Sequence, residues 1–214
     1  MSFDLSVIPN KNILLAVTGG IAAYKSAILV RRLKDFGFDV RVVMTHGAQA
    51  FITPLTYQAL SGNPVHTELL NPEAEAGMGH IELARWADLI LVAPASCDSI
   101  AKFANGLADD LLSTLYLATK APVWIAPAMN QQMWAAKATQ RNLQTLVEDG
   151  VHVIIPDAGE QACGDVGLGR MPEPEDLARQ VAAYFHKAQR AIAEKFGLLA
   201  GKRVTITAGP TREA

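Results

Sequence analysis

Short, continuous apolar runs recur along the chain, each ending in small or polar residues, and this pattern constrains the fold more than any other feature. Residues 12–18, Asn-Ile-Leu-Leu-Ala-Val-Thr, run without polar interruption and stop at Gly19 and Gly20. A run of that length without alternation suits a strand buried on both faces. Residues 89–93 and 123–126 repeat it, and 40–44 and 151–155 do so with one polar residue each, Arg41 and His152. Between them lie segments with helical apolar spacing: 21–36, with Arg31, Arg32 and Lys34 near its end and Gly37 as its stop, then 107–118 and 135–148. The alternation predicts an α/β protein built on a doubly wound parallel sheet, its first βαβ crossover right-handed. Residues 53–60 read as a short helix, 63–79 as an irregular, mildly acidic stretch, 156–171 as a glycine-rich loop and 175–196 as a long amphipathic helix. Residues 201–207 resemble a fresh first strand and 208–212 its loop, so the sheet domain is expected to span 1–200 and a second domain to start within 201–214.

A hydrophobic content of 50% over 214 residues is enough for one sizeable core and requires no second one. Nineteen Lys and Arg against 21 Asp and Glu, with no basic stripe interleaved with aromatics, exclude nucleic acid as the expected partner. The first dozen residues lack a basic start followed by an apolar stretch, and no run approaches the roughly 20 residues that span a bilayer, so a cytoplasmic protein without a membrane partner is expected. Cys97 and Cys163 have neither CxxC spacing nor a histidine at metal-ligand spacing; free thiols and no metal are expected.

In open α/β sheets ligands bind outside the carboxyl ends of the strands, so the loops after the apolar runs carry the candidates. Asn130, in Pro127-Ala128-Met129-Asn130-Gln131-Gln132-Met133-Trp134, delivers a polar amide where a buried strand ends and is the first candidate for a substrate contact. Residues 18–25 join a strand to a helix, where free N–H groups and the positive dipole end favour a phosphate. The segment is neither GxGxxG nor GxxxxGK[ST], a ligand-free tight turn accounts for its glycines equally well, and Lys25 reads as a solvated helix residue. Ser96, Asp98 and Ser99 serve either as caps of the next helix or as ligand contacts. His80 ends the long irregular stretch; for it, as for His46, His66, His152 and His186, a surface or structural role is the default. Cys163 lies in a segment too polar and glycine-rich to pack a core thiol, which favours chemical use of that thiol, whereas Cys97 reads as a small packing residue.

Taken together, residues 18–25, 79–88 (Gly-His-Ile-Glu-Leu-Ala-Arg-Trp-Ala-Asp), 127–134 and 161–171 (Gln-Ala-Cys-Gly-Asp-Val-Gly-Leu-Gly-Arg-Met) resemble the flavin-containing cysteine decarboxylases, most of all the phosphopantothenoylcysteine decarboxylases. The likeness covers residues 11–190, and residues 205–213 look like the opening of the phosphopantothenate–cysteine ligase domain that follows in bifunctional members. So little of it is present that ligase activity is not expected of this chain.

The resemblance implies a Rossmann-like flavoprotein that binds FMN rather than a dinucleotide. By position in the matching motifs, Gly19, Gly20, Ile21, Thr45, Phe51, Ser96, Cys97, Asp98 and Ser99 would form the flavin site. Asp98 departs from the family's asparagine, and an acceptor-only carboxylate there argues against direct contact. His80, Asn130 and Cys163 would be the catalytic residues, with Asn130 and Met133 on the substrate. The implied reaction is decarboxylation of 4'-phosphopantothenoyl-cysteine to 4'-phosphopantetheine in coenzyme A biosynthesis. The carbon bearing sulfur is oxidised to a thioaldehyde, carbon dioxide leaves to give an enethiolate, and re-reduction follows. Asn130 would orient the carboxylate, His80 assist, and Cys163 protonate the carbon.

Flavin prenyltransferases, peptidyl-cysteine decarboxylases and non-enzymatic regulatory binders share this architecture. Asn130 together with Cys163 favours the decarboxylase that completes reduction, and the chain lacks the long acidic tail of several regulatory relatives. The resemblance further implies a homo-oligomer built from trimers, up to a dodecamer, with flavin near subunit contacts.

Overall fold

Strand β1 (Asn12–Val17) lies mid-sheet with β2 (Asp39–Met44) on one side and β4 (Leu89–Ala95) on the other, Ile13 standing opposite both Val40 and Leu89. The computed structural model describes residues 11–69 and 79–196. Six parallel strands follow the order β3-β2-β1-β4-β5-β6, with β3 at Val65–His66, β5 at Val123–Pro127 and β6 at His152–Val153. This is the doubly wound, Rossmann-like order expected, and it reverses direction between β1 and β4.

The unbroken apolar runs have a direct physical reading. Successive side chains of a strand point to opposite faces, so a strand covered on both sides needs an apolar residue at every position. Ile13, Leu15 and Val17 enter one core with Leu29, Val30 and Leu33 of α1 (Ala23–Asp35), Tyr57 of α3 (Pro54–Ser61), and Leu177, Val181 and Phe185 of the final helix. Leu14 and Ala16 enter the other with Leu83 of α4 (His80–Trp86), Ile100 and Phe103 of α5 (Cys97–Ala104), Leu112 and Leu115 of α6 (Leu111–Ala118), and Leu143 and Leu146 of a later helix. Each buried Val, Leu, Ile or Phe among them contributes ~1.5–3 kcal/mol by leaving water. Helix α2 (His46–Gln49) sits between β2 and α3.

The structure departs from the sequence reading in four places. The run 151–155 pairs only over His152–Val153, because β6 is a sheet edge with β5 as its single neighbour and the chain turns away before Pro156. The helix expected over 135–148 is α8 (Lys137–Glu148), and a further short helix not expected from sequence, α7 (Gln131–Ala135), precedes it, the two separated where Ala136 turns to ψ 133°. The helix expected from 107 starts at Leu111, since Asp110 and Ser113 close a reciprocal capping box there. The segment read as a loop over 156–171 is an antiparallel hairpin of β7 (Asp157–Glu160) and β8 (Val166–Arg170). Helix α9 (Pro174–Phe196) confirms the long amphipathic helix. Much of the 63–79 stretch and all of 201–214 lie outside the described residues.

Candidate active site

The strand order reverses between β1 and β4, and their two ends are tied behind the reversal. Thr18 donates its hydroxyl to the Pro94 carbonyl at 2.8 Å and accepts the Ser96 N–H at 2.8 Å. In front lies a cavity of about 480 Å³ with walls from the turn after β1 (Gly19 to Ile21, with Tyr24 and Lys25), from Ser96 and Cys97 after β4, from the 128–133 segment after β5, and from the hairpin. This is the crevice in which open α/β sheets hold ligands, and its size is that of a small-molecule pocket.

Glycines shape the turn after β1. Gly19 approaches the backbone of Gly47 so closely that a Cβ would stand 3.1 Å from its carbonyl carbon, whereas a Cβ on Gly20 would meet nothing within 4 Å. Gly20 therefore keeps space open. The N–H groups of Gly19, Gly20 and Ile21 make no hydrogen bond among the described residues and suit an anionic or carbonyl-bearing ligand. The start of α1 is fixed from below by Tyr57, whose hydroxyl donates to the Ala23 carbonyl at 2.7 Å; burial pushes the phenol above its ordinary range and keeps it a donor.

Lys25 corrects the reading of a solvated lysine. It is 8% exposed, and its ammonium donates to the Met171 carbonyl at 3.0 Å and to Glu173 at 2.7 Å, pinning the end of the hairpin to the first turn of α1. A buried ammonium persists only with such acceptors.

The far wall is the junction of the 128–131 segment with the hairpin. The Met129 N–H donates to the Gly169 carbonyl at 2.9 Å, and Gln161 accepts from the Gln131 N–H at 3.0 Å while donating to the Met129 carbonyl at 3.3 Å. Backbones can lie this close only if the hairpin has no side chain there: a Cβ on Gly169 would overlap the Met129 carbonyl oxygen, and one on Gly167 the Gln131 side chain. Asn130 caps α7, its Oδ1 accepting the Gln132 N–H at 2.8 Å, which leaves its NH₂ facing the hairpin turn. There Nδ2 donates to Asp165 at 2.8 Å and lies 3.4 Å from the Cys163 sulfur.

Of the residues singled out from sequence, Gly19, Gly20, Ile21, Ser96, Cys97, Asn130, Met133 and Cys163 line this one cavity. Ser96 also caps α5, accepting the Ser99 N–H at 3.2 Å and donating to the Ser99 hydroxyl at 3.1 Å, so the capping role holds. Ser99 is thereby turned inward, 4% exposed, and Asp98 points outward with a weak pairing to Lys102 at 3.8 Å; neither lines the cavity. Thr45, the residue before α2, and Phe51, 53% exposed, lie on either side of Gly47 in sequence and outside the cavity lining. His80 opens α4, also outside the lining, with Nδ1 buried and unpaired among the described residues. Cys97 and Cys163 are both free, Cys97 lying 3.4 Å from the Thr139 hydroxyl. Among the described residues no cluster of acidic, histidine or cysteine side chains is arranged to hold a metal, and no helix is long and apolar enough to cross a membrane.

Sequence reasoning missed Asp165, Gln161 and the anchoring role of Lys25. Gly167 and Gly169 carried a usable signal, since glycine at alternate positions marks a strand whose one face meets another backbone.

Comparison with known proteins places this geometry in context. The coenzyme A biosynthesis bifunctional protein CoaBC of Vibrio cholerae is 61% identical over 204 residues, covering 95% of this chain and 49% of that protein. The CoaBC of Escherichia coli K12 is 55% identical over 203 residues, covering 95% and 48%. The chain thus spans about half the length of the curated relatives it matches. Among solved structures, a cysteine-to-serine mutant of PPC decarboxylase complexed with pantothenoylaminoethenethiol superposes with a TM-score of 0.73 at 33% identity, over 83% of this chain and 99% of that one. The FMN-dependent cysteine decarboxylase SpaF superposes with a TM-score of 0.71 at 30% identity, over 84% and 98%. The model of the Flavoprotein family matches residues 4–186, the whole span that builds the sheet and the cavity, and the chain belongs to that family.

Proposed function

We propose that this chain decarboxylates 4'-phosphopantothenoyl-cysteine to 4'-phosphopantetheine with FMN as cofactor, a carboxy-lyase step of coenzyme A biosynthesis. The observation that carries the reading is the meeting of the Asn130 amide and the Cys163 thiol, 3.4 Å apart, at the cavity outside the strand reversal. The place of the CoaBC relatives in coenzyme A biosynthesis and the activity named for PPC decarboxylase support the substrate, and the FMN dependence of SpaF supports the cofactor. The cavity fits a flavin: N–H groups at the turn after β1 that are unpaired among the described residues, open space over Gly20, and apolar walls from Ile21, Ala128 and Met129.

When bound, flavin supplies the electron sink without which the carboxylate of a cysteine amide cannot leave, its carbanion having nowhere to delocalise. Gly19, Gly20, Ile21, Ser96 and Cys97 would hold it. Asn130, fixed by its capping bond, orients the substrate carboxylate, and Met133 supplies an apolar wall. The Cys163 thiol, exposed at the rim, gives the proton that replaces carbon dioxide on the carbon.

His80, Thr45 and Phe51 stand outside the cavity of their own chain. Their assigned roles in the site fit a homo-oligomer built from trimers, in which they would complete a site shared with a neighbouring copy. The exposed apolar side chains Ile21, Tyr24, Ile28, Phe51 and Leu55 beside the turn support such a contact. Residues 1–200 form the decarboxylase unit in this reading, 201–214 open the ligase region, and the setting is the cytoplasm.

Mass spectrometry of the product after incubating FMN-loaded protein with 4'-phosphopantothenoyl-cysteine tests the reading. Formation of 4'-phosphopantetheine is expected. A yellow protein that leaves the substrate untouched refutes the reaction and keeps the flavoprotein.

A further inference from the structure

We propose that Asp165 is a built-in stand-in for the substrate's carboxylate, holding the Asn130 amide and competing for it with ligands that carry a carboxylate. The inference rests on the decarboxylase reading above and goes beyond it. Both side-chain donors of Asn130 are already committed. Its Oδ1 accepts from the Gln132 N–H at 2.8 Å, and the donors of its NH₂ go to Asp165 Oδ2 at 2.8 Å and to the Cys163 sulfur at 3.4 Å. Because a carboxylate can only accept, the pairing with Asp165 also fixes which end of the amide faces the cavity.

An incoming carboxylate therefore reaches Asn130 by replacing Asp165, since two carboxylates sharing one amide would repel. The backbone supports an exchange confined to the side chain. The Gln161 N–H donates to the Asp165 carbonyl at 2.7 Å and the Gly164 N–H to the Gln161 carbonyl at 2.8 Å, closing the turn, while Gly164 at φ +86° has open space around it. A ligand with a carboxylate exchanges like for like. Once carbon dioxide has left, the product has nothing to keep Asp165 away, and the returning carboxylate favours release. Asp165 is a positioning residue that acts through Asn130.

The test compares FMN-loaded wild type and Asp165→Asn in calorimetric binding of two ligands: the serine analogue of the substrate, which keeps the carboxylate but lacks the oxidisable thiol, and 4'-phosphopantetheine, which lacks the carboxylate. The neutral amide is a weaker competitor, so the analogue is expected to bind about tenfold tighter to the variant, the scale of a hydrogen bond to a charged group, with phosphopantetheine unchanged. Equal changes for both ligands, or none for either, overturn the proposal. Asp165→Ser repeats the comparison if the first variant does not fold.

If wild type binds neither ligand, the decarboxylase reading fails and alkylation of Cys163 decides the matter alone. The ratio of iodoacetate to iodoacetamide rates, followed on the Cys163 peptide, is expected to rise in Asp165→Asn and to lose that rise when Asn130→Ala is added. An equal rise in Glu160→Gln, which removes a carboxylate that lines the cavity, or a rise that survives Asn130→Ala, reflects general charge and overturns the proposal.

Discussion

Replacing Gly169 by alanine is expected to lift the hairpin from the 128–131 segment and disable the site while leaving the sheet intact. Gly169 sits at φ +137°, and a Cβ there would overlap the Met129 carbonyl oxygen, which is backbone and cannot swing aside. The backbone conformation alone costs an L residue ~1–3 kcal/mol. Separating the strands also loses the hydrogen bond from the Met129 N–H to the Gly169 carbonyl, worth ~0.5–1.5 kcal/mol. The combined cost is about 2–4 kcal/mol, or roughly 4–16 °C in the melting temperature for a domain of this size if all of it falls on the global transition. Undocking offers a cheaper escape, because only the hairpin need move; the fall in melting temperature then shrinks, and turnover is lost instead as Asn130 and Cys163 separate. Thermal unfolding and product formation, measured side by side, read both routes. A variant with wild-type melting and wild-type turnover refutes the close backbone approach.

Cys163→Ser is expected to keep fold and flavin and to release carbon dioxide, but to accumulate the oxidised enethiol product, read by mass spectrometry; equal yields of reduced product from both proteins remove Cys163 from the protonation step. Asn130→Asp is expected to retain fold and flavin colour yet lose turnover, since the new carboxylate faces Asp165 at hydrogen-bonding distance and repels the substrate's own; unchanged turnover removes Asn130 from the site. Asp110→Ala is expected to destabilise by about 1–2 kcal/mol at neutral pH through loss of the α6 cap, measured by urea unfolding. Burial raises the Asp110 carboxyl, but hydrogen bonds from the Ser113 N–H and Lys102 outweigh it and hold it below the usual carboxylate range. A lowered native value means that this stability is present above the unfolded carboxylate value of about 4 and is lost as pH falls through the native one, so wild type and variant should converge in acid.

The sheet was legible because a strand covered on both faces must be almost wholly apolar: residues 13–17, 89–93 and 123–126 are, and 40–44 carry one polar residue, Arg41. Residues 151–155 carry the same pattern yet only two of them pair, since position at the edge is a property of the sheet and not of the run. Asn130 and Cys163 were legible as members of motifs, and the cavity brings them together. Lys25 was misread because its acceptors lie 146 and 148 residues away, and a lysine in an otherwise amphipathic helix carries no local mark of burial. Asp165 escaped for the same reason: its partner is 35 residues distant across the sheet end. The hairpin looked like a loop because its glycines, which normally weaken strands, are there to admit the 128–131 backbone.

The span of the contacts made by α9 and the hairpin has a consequence for synthesis. A ribosome releases this chain N-terminus first, and the face of β1 formed by Ile13, Leu15 and Val17 shares its core with Leu177, Val181 and Phe185. Until residue 185 has left the exit tunnel that face is incompletely covered, and the nascent chain exposes apolar surface. The cavity closes equally late, for Lys25 must wait for Met171 before its ammonium has an acceptor. Cofactor capture therefore waits until the segment through Met171 has emerged, and a variant that delays docking of α9 should raise the demand for chaperones before it alters any property of the folded domain.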